Sequence, residues 1–250
     1  MRNESSPTPH GHRQLSFPLV YNARDLGGLR NTGGDTTRWK AFVRCDSPFR
    51  LNDDGLRTVQ DYGIRTVLDL RHAEELAREP NPLRESEGIT YINVPFVDLR
   101  NLPVLVNTIE TEGMLAWNLT MLDIAQPEIG TAFRAIANAP AGGVLFHCLA
   151  GKDRTGLMSM LLLNLAGVPD EDIALDYDES NHHLGPLNDQ VLLRFPEEVR
   201  PRVLKNLLSG KDNMLKIAAR LRARYTDAAS YLHLCGLTDV EIAAIQSRLI

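Results

Sequence analysis

Cysteine is scarce in this chain. Cys45, Cys148 and Cys235 are the only three among 250 residues, an odd and sparse set that builds no disulfide framework. A reducing cytoplasm is the natural home, with export by a route that leaves no sequence signal as the alternative. The N-terminus, MRNESSPTPHGHRQ, has no apolar h-region and so does not read as a signal peptide. Long hydrophobic runs are missing too. The longest, Leu157 to Val168, is interrupted by Asn164 and falls short of the roughly 20 residues a spanning helix needs. Positive charge is not in excess: the formal net charge is -5, which argues against a nucleic-acid binder and against simple adhesion to anionic membranes. Metal-ligand spacing is also lacking. His182-His183 stand alone and read as a surface pair at a helix end. No metal or cofactor is expected.

What is present suits one globular domain. Apolar residues make up 43% and charged residues 24%, an ordinary balance for a chain of this size. Residues 1–16, rich in Ser, Pro, His and Gly, read as a flexible tail, and 17–250 as a single domain. The stretch 21–46 carries two Gly-Gly pairs and reads as a turn-rich hairpin region ending in a strand near Lys40 to Cys45. LNDDGLRTVQDYG is helical, with Asn52 or Asp53 as N-cap. Strands are expected at Ile64 to Arg71, Ile89 to Phe96 and Gly142 to Cys148. A helical pattern covers 104–138 with a break at Pro127, and nearly everything after Thr155 is helical. Alternating strands and helices predict an α/β fold: a central, mainly parallel sheet of four or five strands with helices on both faces and a C-terminal helical elaboration. Within that elaboration, 186–225 could serve as a lid.

The chemistry concentrates in VLFHCLAGKDRTG, Val144 to Gly156. An apolar strand runs into a glycine-containing loop and then into a helix. Backbone N–H groups of such a loop, with the helix N-terminus behind them, form an anion site. Cys148 sits at its mouth, where the thiolate form is favoured. Arg154, six residues on, can close the ring and grip two oxygens of a bound phosphate bidentately. A cation at a helix N-terminus opposes the dipole, so Arg154 needs a bound anion to explain it. Leu149, Ala150, Gly151, Lys152, Asp153 and Arg154 then make the phosphate-binding loop, with His147 and Thr155 supporting it. A nucleotide-binding P-loop is excluded, because Asp153 follows Lys152 where Ser or Thr is required.

HCLAGKDRTG resembles the HCxxGxxR[ST] signature of the protein-tyrosine phosphatase superfamily. NARDLGG (Asn22 to Gly28), VRCD, VLDLR and the C-terminal YLHLCGLTDVEI extend the resemblance over most of 20–250, toward the bacterial branch that acts on tyrosine, dual-specificity and phosphoinositide substrates. The resemblance implies the protein-tyrosine-phosphatase fold and phosphomonoester hydrolysis through a cysteinyl-phosphate, on phosphotyrosine proteins and also on phosphoserine, phosphothreonine or phosphoinositides. Cys45 departs from the pattern, standing where a small hydroxyl residue is expected.

Two aspartates compete as general acid. Asp98, after strand YINVPF, resembles the movable acid loop of the family and is placed first. Asp153, inside the loop, either shares that role or positions water. Lys152 adds a charge that plain phosphotyrosine does not need, which suggests a site open to inositol lipids. Asn22, Arg24 and Asp25 read as turn formers that could also floor the pocket, and Asp69–Arg71 as a structural salt bridge. The rival functions are a phospho-binding pseudo-phosphatase and sulfur transfer or arsenate reduction on a similar anion loop.

Overall fold

The structure is a computed structural model and describes residues 13–98, 100–208 and 210–250. In chain order its elements are β1 (Arg24–Asp25), β2 (Phe42–Cys45), α1 (Asp53–Tyr62), β3 (Ile64–Asp69), α2 (Ala73–Arg78), β4 (Thr90–Asn93), α3 (Leu102–Thr111), α4 (Met114–Ile124), α5 (Gln126–Ala137), β5 (Gly143–His147), α6 (Asp153–Leu165), α7 (Asp170–His183), α8 (Gly185–Leu192), α9 (Arg200–Leu207), α10 (Lys211–Tyr225), α11 (Ala228–Leu234) and α12 (Asp239–Leu249). The strands form one sheet in the order β1-β2-β5-β3-β4. β1 runs antiparallel to β2 and every other pair is parallel. The α/β fold expected from the alternation of strands and helices is the one observed.

β5 is the central strand and all five of its residues are buried, as its unbroken apolar run requires. Alternation along the strands divides the core. Val43, Cys45, Val67 and Leu145 face the layer that includes Val59 of α1. Phe42, Leu68, Val144 and Phe146 face the larger layer built from α4 to α7 and α10 to α12. At the centre of that layer lies α6, whose sequence LMSMLLLNL is apolar nearly all round. A helix without a polar face must be covered on every side, and Leu157 to Leu163 are fully or almost fully buried. α6 begins directly behind the loop, so the most deeply packed helix holds the chemistry in place.

Local signals account for most boundaries. Asn52 caps α1, its side chain accepting from the Gly55 N–H, and Gly63 closes that helix in the left-handed conformation. Pro127 opens α5, as the proline break predicts. The expected helix over 104–138 is split once more, at Gly113, which has φ 88°. One expectation is revised. The tail was drawn to residue 16, yet the chain is packed from Arg13: its side chain is buried, and the Leu15 N–H donates to the Ala23 carbonyl at 2.9 Å. The remainder of the tail, residues 1–12, lies outside the described residues. Within 186–225, the segment that the sequence offers as a possible lid, α10 buries Met214, Ile217, Ala218 and Leu221 and belongs to the core. Of that segment only α8, a 3-10 turn at Glu197–Val199 and α9 lie at the surface, and α9 has no buried residue. Among the described residues no helix is long and apolar enough to cross a membrane.

Candidate active site

β5 ends at His147, and the chain turns through Cys148 to Lys152 before α6 starts at Asp153. The turn is possible because Gly151 adopts φ +65° and its Cα lies against β2. A Cβ there would stand 2.1 Å from the Cys45 carbonyl oxygen, so only glycine fits. Among the described residues, no backbone N–H from Leu149 to Arg154 donates to a protein acceptor. Six N–H groups in succession at a helix N-terminus are thus available to an anion.

Cys148 is 3% exposed. It lies at the base of a cleft of about 300 Å³ that it shares with Leu149, Ala150, Asp153, Arg154 and Glu75. The opposite wall is apolar and comes from Val97, α3 (Leu102, Leu105, Val106, Ile109) and α4 (Met114, Trp117). Cys148 and Arg154 thus line one cleft. A wider hollow of about 640 Å³ lies along α2 and Tyr91 and contains no residue of the loop.

Arg154 makes a bidentate ion pair with Glu75 of α2, both contacts 2.6 Å. Burial alone would lower the Arg154 pKa. The Glu75 hydrogen bonds and the negative charges of Cys148, Glu75 and Asp153 outweigh it and hold the guanidinium above its ordinary value. Burial likewise would raise Glu75, and Arg154 reverses that. Glu75 also accepts from the His72 N–H at 3.0 Å. Sequence reading missed Glu75. The sequence offered no more than a pair of acids, Glu74 and Glu75, in the first turn of a helix.

His147 supports the loop from behind. Its Nδ1 lies 2.9 Å from the Cys148 carbonyl oxygen; a carbonyl only accepts, so Nδ1 carries a proton. Its Nε2 meets Asn81 Nδ2 at 2.9 Å and Asp69 Oδ2 at 3.2 Å. Asp69 also receives Arg71 and the Tyr91 hydroxyl. Burial pushes the Asp69 carboxyl up, but His147 and Arg71 overcome it and hold it far below the usual carboxylate range. The expected Asp69–Arg71 bridge is present at 2.7 Å, fully buried, and it reaches the loop through Ser47. Arg71 donates to the Ser47 hydroxyl, and the Ser47 N–H donates to the Leu149 carbonyl at 2.8 Å. The Thr155 hydroxyl is buried with no hydrogen-bond partner among the described residues.

The two acid candidates separate. Asp153 lines the cleft and accepts from the Tyr177 hydroxyl at 2.5 Å, with Asn118 Nδ2 at 3.5 Å. Asp98 is not among the cleft residues. Its carboxylate accepts from Arg100 Nε at 2.7 Å, and these bonds to Arg100 hold it below its ordinary value. Lys152 is buried and its ammonium faces away from the cleft. It donates to Asn181 Oδ1 at 2.7 Å and to the Leu207 carbonyl at the end of α9. Burial pushes its pKa down to about 8. The Lys152 ammonium therefore makes its contacts with Asn181 and Leu207, and Lys152 is not among the cleft residues. Cys45 is buried on the α1 side of the sheet, and burial pushes its thiol well up.

The sequence has relatives among known proteins. The sequence profile described as "Tyrosine phosphatase family" matches residues 15–250. A Nostoc commune tyrosine-protein phosphatase is 30% identical over 221 residues, covering 84% of this chain and 74% of that protein. A Cupriavidus necator protein provisionally named a tyrosine-protein phosphatase is 28% identical over 95% of this chain and 89% of its own. The triple specificity protein phosphatase PtpB of Mycobacterium tuberculosis is 27% identical over 94% of this chain and 98% of its own. With a family match across nearly all of its length, the chain belongs to the tyrosine phosphatase family and is a phosphatase.

Proposed function

We propose that this phosphatase hydrolyses aryl phosphates of the phosphotyrosine type through a cysteinyl-phosphate on Cys148. The observation that carries the reading is the cleft itself: a sulfur and a guanidinium at its base, with an apolar wall from Val97 to Trp117 that suits an aromatic ring better than a short serine side chain. The Cys148 thiolate attacks phosphorus in line with the leaving oxygen; the S–P bond forms as the P–O bond breaks. The loop N–H groups of Leu149 to Arg154 and the Arg154 fork hold the equatorial oxygens, where charge collects. Arg154 exchanges Glu75 for phosphate as its bidentate partner.

Asp153 is assigned as the acid that protonates the leaving oxygen, in preference to Asp98. Its carboxyl lies in the cleft, and Tyr177 fixes its orientation. In the second step Asp153 takes a proton from the water that attacks the cysteinyl-phosphate, and inorganic phosphate leaves. The apolar wall and the inward turn of Lys152 leave phosphoinositides without an evident polyanion site. The name of the mycobacterial relative nonetheless makes phosphoserine and phosphothreonine peptides necessary controls.

Kinetics of the wild type, Cys148→Ser, Asp153→Asn and Asp98→Asn test this reading on phosphotyrosine, phosphoserine and phosphothreonine peptides, inositol lipids and a series of aryl phosphates. Cys148→Ser is expected to lose turnover. Asp153→Asn is expected to make the rate depend steeply on leaving-group basicity, and Asp98→Asn to leave that dependence flat. Steepening in Asp98→Asn alone would reverse the assignment. A preference for inositol lipids over every phosphopeptide would refute the substrate class.

A further inference from the structure

A second set of side chains lies behind the loop and takes no part in the chemistry described so far. The backbone carbonyls of the loop are all occupied from outside. Asn22 Nδ2 donates to the Ala150 carbonyl at 3.0 Å and the Gly151 carbonyl at 3.1 Å. Arg44 donates one guanidinium nitrogen to the Gly151 carbonyl at 2.9 Å and the Lys152 carbonyl at 3.2 Å. Its other terminal nitrogen meets Asp176 of α7 at 2.6 Å. Arg24 is the Cα partner of Arg44 across the β1–β2 pair. It holds the Asn22 side-chain oxygen at 2.5 Å, the Asp176 carboxylate at 3.2 Å and the Ser180 hydroxyl at 3.0 Å. Arg13 reaches the same carboxylate at 2.8 Å. Asn22, Arg13, Arg24, Arg44 and Asp176 are all no more than 1% exposed.

A trans peptide plane points its carbonyl and the next residue's N–H in opposite directions. Tying the carbonyls of Ala150 and Gly151 to the β1–β2 side therefore turns the N–H groups of Gly151 and Lys152 the other way. Arg13, Arg24 and Arg44 converge on the Asp176 carboxylate, and Arg13 also acts on Glu179, 3.9 Å away, and on the Asp25 carboxyl. Like charges side by side on neighbouring strands are unfavourable, so Arg24 and Arg44 depend on Asp176 between them.

We infer that Asn22 and Arg44, the latter anchored by Asp176, are positioning residues for oxyanion binding: they hold the carbonyls of Ala150, Gly151 and Lys152 outward so that the loop N–H groups converge on phosphate. This rests on the reading of 148–154 as the phosphate loop, and it assigns a function to the NARD segment and to Asp176. None of these side chains lines the cleft, so the effect must pass through the loop.

Asn22→Ala removes two carbonyl contacts, and Arg44→Lys keeps the buried charge but loses the fork that spans Asp176 and the loop. Both are made in the full chain and read three ways: cooperative thermal unfolding, kcat and KM on p-nitrophenyl phosphate, and tungstate affinity by calorimetry. The expected result is a folded variant whose kcat falls by on the order of tenfold to a hundredfold, as for a misplaced catalytic group. KM should move much less, and tungstate dissociation should weaken by about tenfold. A single folded variant decides the matter. Wild-type kcat and tungstate affinity in a folded variant would overturn the inference, and so would loss of cooperative unfolding in both, which would make the residues supports of the domain alone. Tungstate binding is independent of turnover, so failure of the cysteinyl-phosphate mechanism in the wild type would be recognised separately.

Discussion

Arg154 is paired with Glu75 in the structure, and the proposed mechanism has phosphate take the place of Glu75. Replacing Glu75 by Gln leaves a mostly buried guanidinium without its counter-charge, which costs about 3 kcal/mol of stability. Phosphate supplies the missing negative charge. Inorganic phosphate should therefore raise the melting temperature of Glu75→Gln by more than that of the wild type, and a thermal-shift titration of both proteins checks this. Equal shifts would mean that Glu75 and phosphate do not compete for the same guanidinium. The strand, loop and helix that carry Cys148 and Arg154 were legible in the sequence because they are contiguous there. Glu75 was not, since it lies 79 residues away from Arg154 and its pairing exists only once α2 packs beside the loop. That Asp153 and not Asp98 lines the cleft was hidden from the sequence for a related reason. Whether an acid after β4 faces the cleft depends on the path of the turn, and here Arg100, two residues on, captures the carboxylate.

At the level of elements, the contact between α6 and α7 decides how Asp153 is presented. Gly156 lets the Tyr177 ring lie directly on α6; a Cβ there would stand 2.7 Å from the ring. Gly156→Ala should push that ring aside, release the Tyr177–Asp153 hydrogen bond and cost about 1–3 kcal/mol through overpacking. Urea unfolding measures the loss of stability. If Asp153 is the acid as proposed, the rate should also depend more steeply on leaving-group basicity, short of the dependence in Asp153→Asn. Strand and helix types were readable from apolar runs, caps and prolines, and β3, β5 and α1 lie close to where the pattern put them. The lid segment was not, because amphipathic spacing is the same whether a helix is core or cover. Only packing distinguishes α10, with Met214, Ile217 and Leu221 buried, from α9, which buries none.

Over the whole molecule, several buried charges make stability depend on pH. Burial lifts the Asp46 carboxyl to about 6, although N–H bonds from Asn22 and Tyr21 pull the other way. Its folded value is thus above the unfolded one, near 4. The stabilising contribution of this group is complete below the unfolded value and is lost as pH rises through about 6. Asp46→Asn keeps an oxygen for both N–H groups and removes the charge. Relative to wild type it should gain on the order of 2 kcal/mol between pH 4 and 7.5, measured by urea unfolding at both ends. A constant difference across that range would refute the assignment.

The Arg13 contact with Asp176 sets a boundary for any shortened form of this protein. The family match begins at residue 15, and a recombinant chain started there would look complete by sequence. It would nevertheless leave an interior carboxylate one guanidinium short, 163 positions away along the chain. Such a truncation should weaken the scaffold under the loop of residues 148–154, although Arg13 is not among the cleft residues.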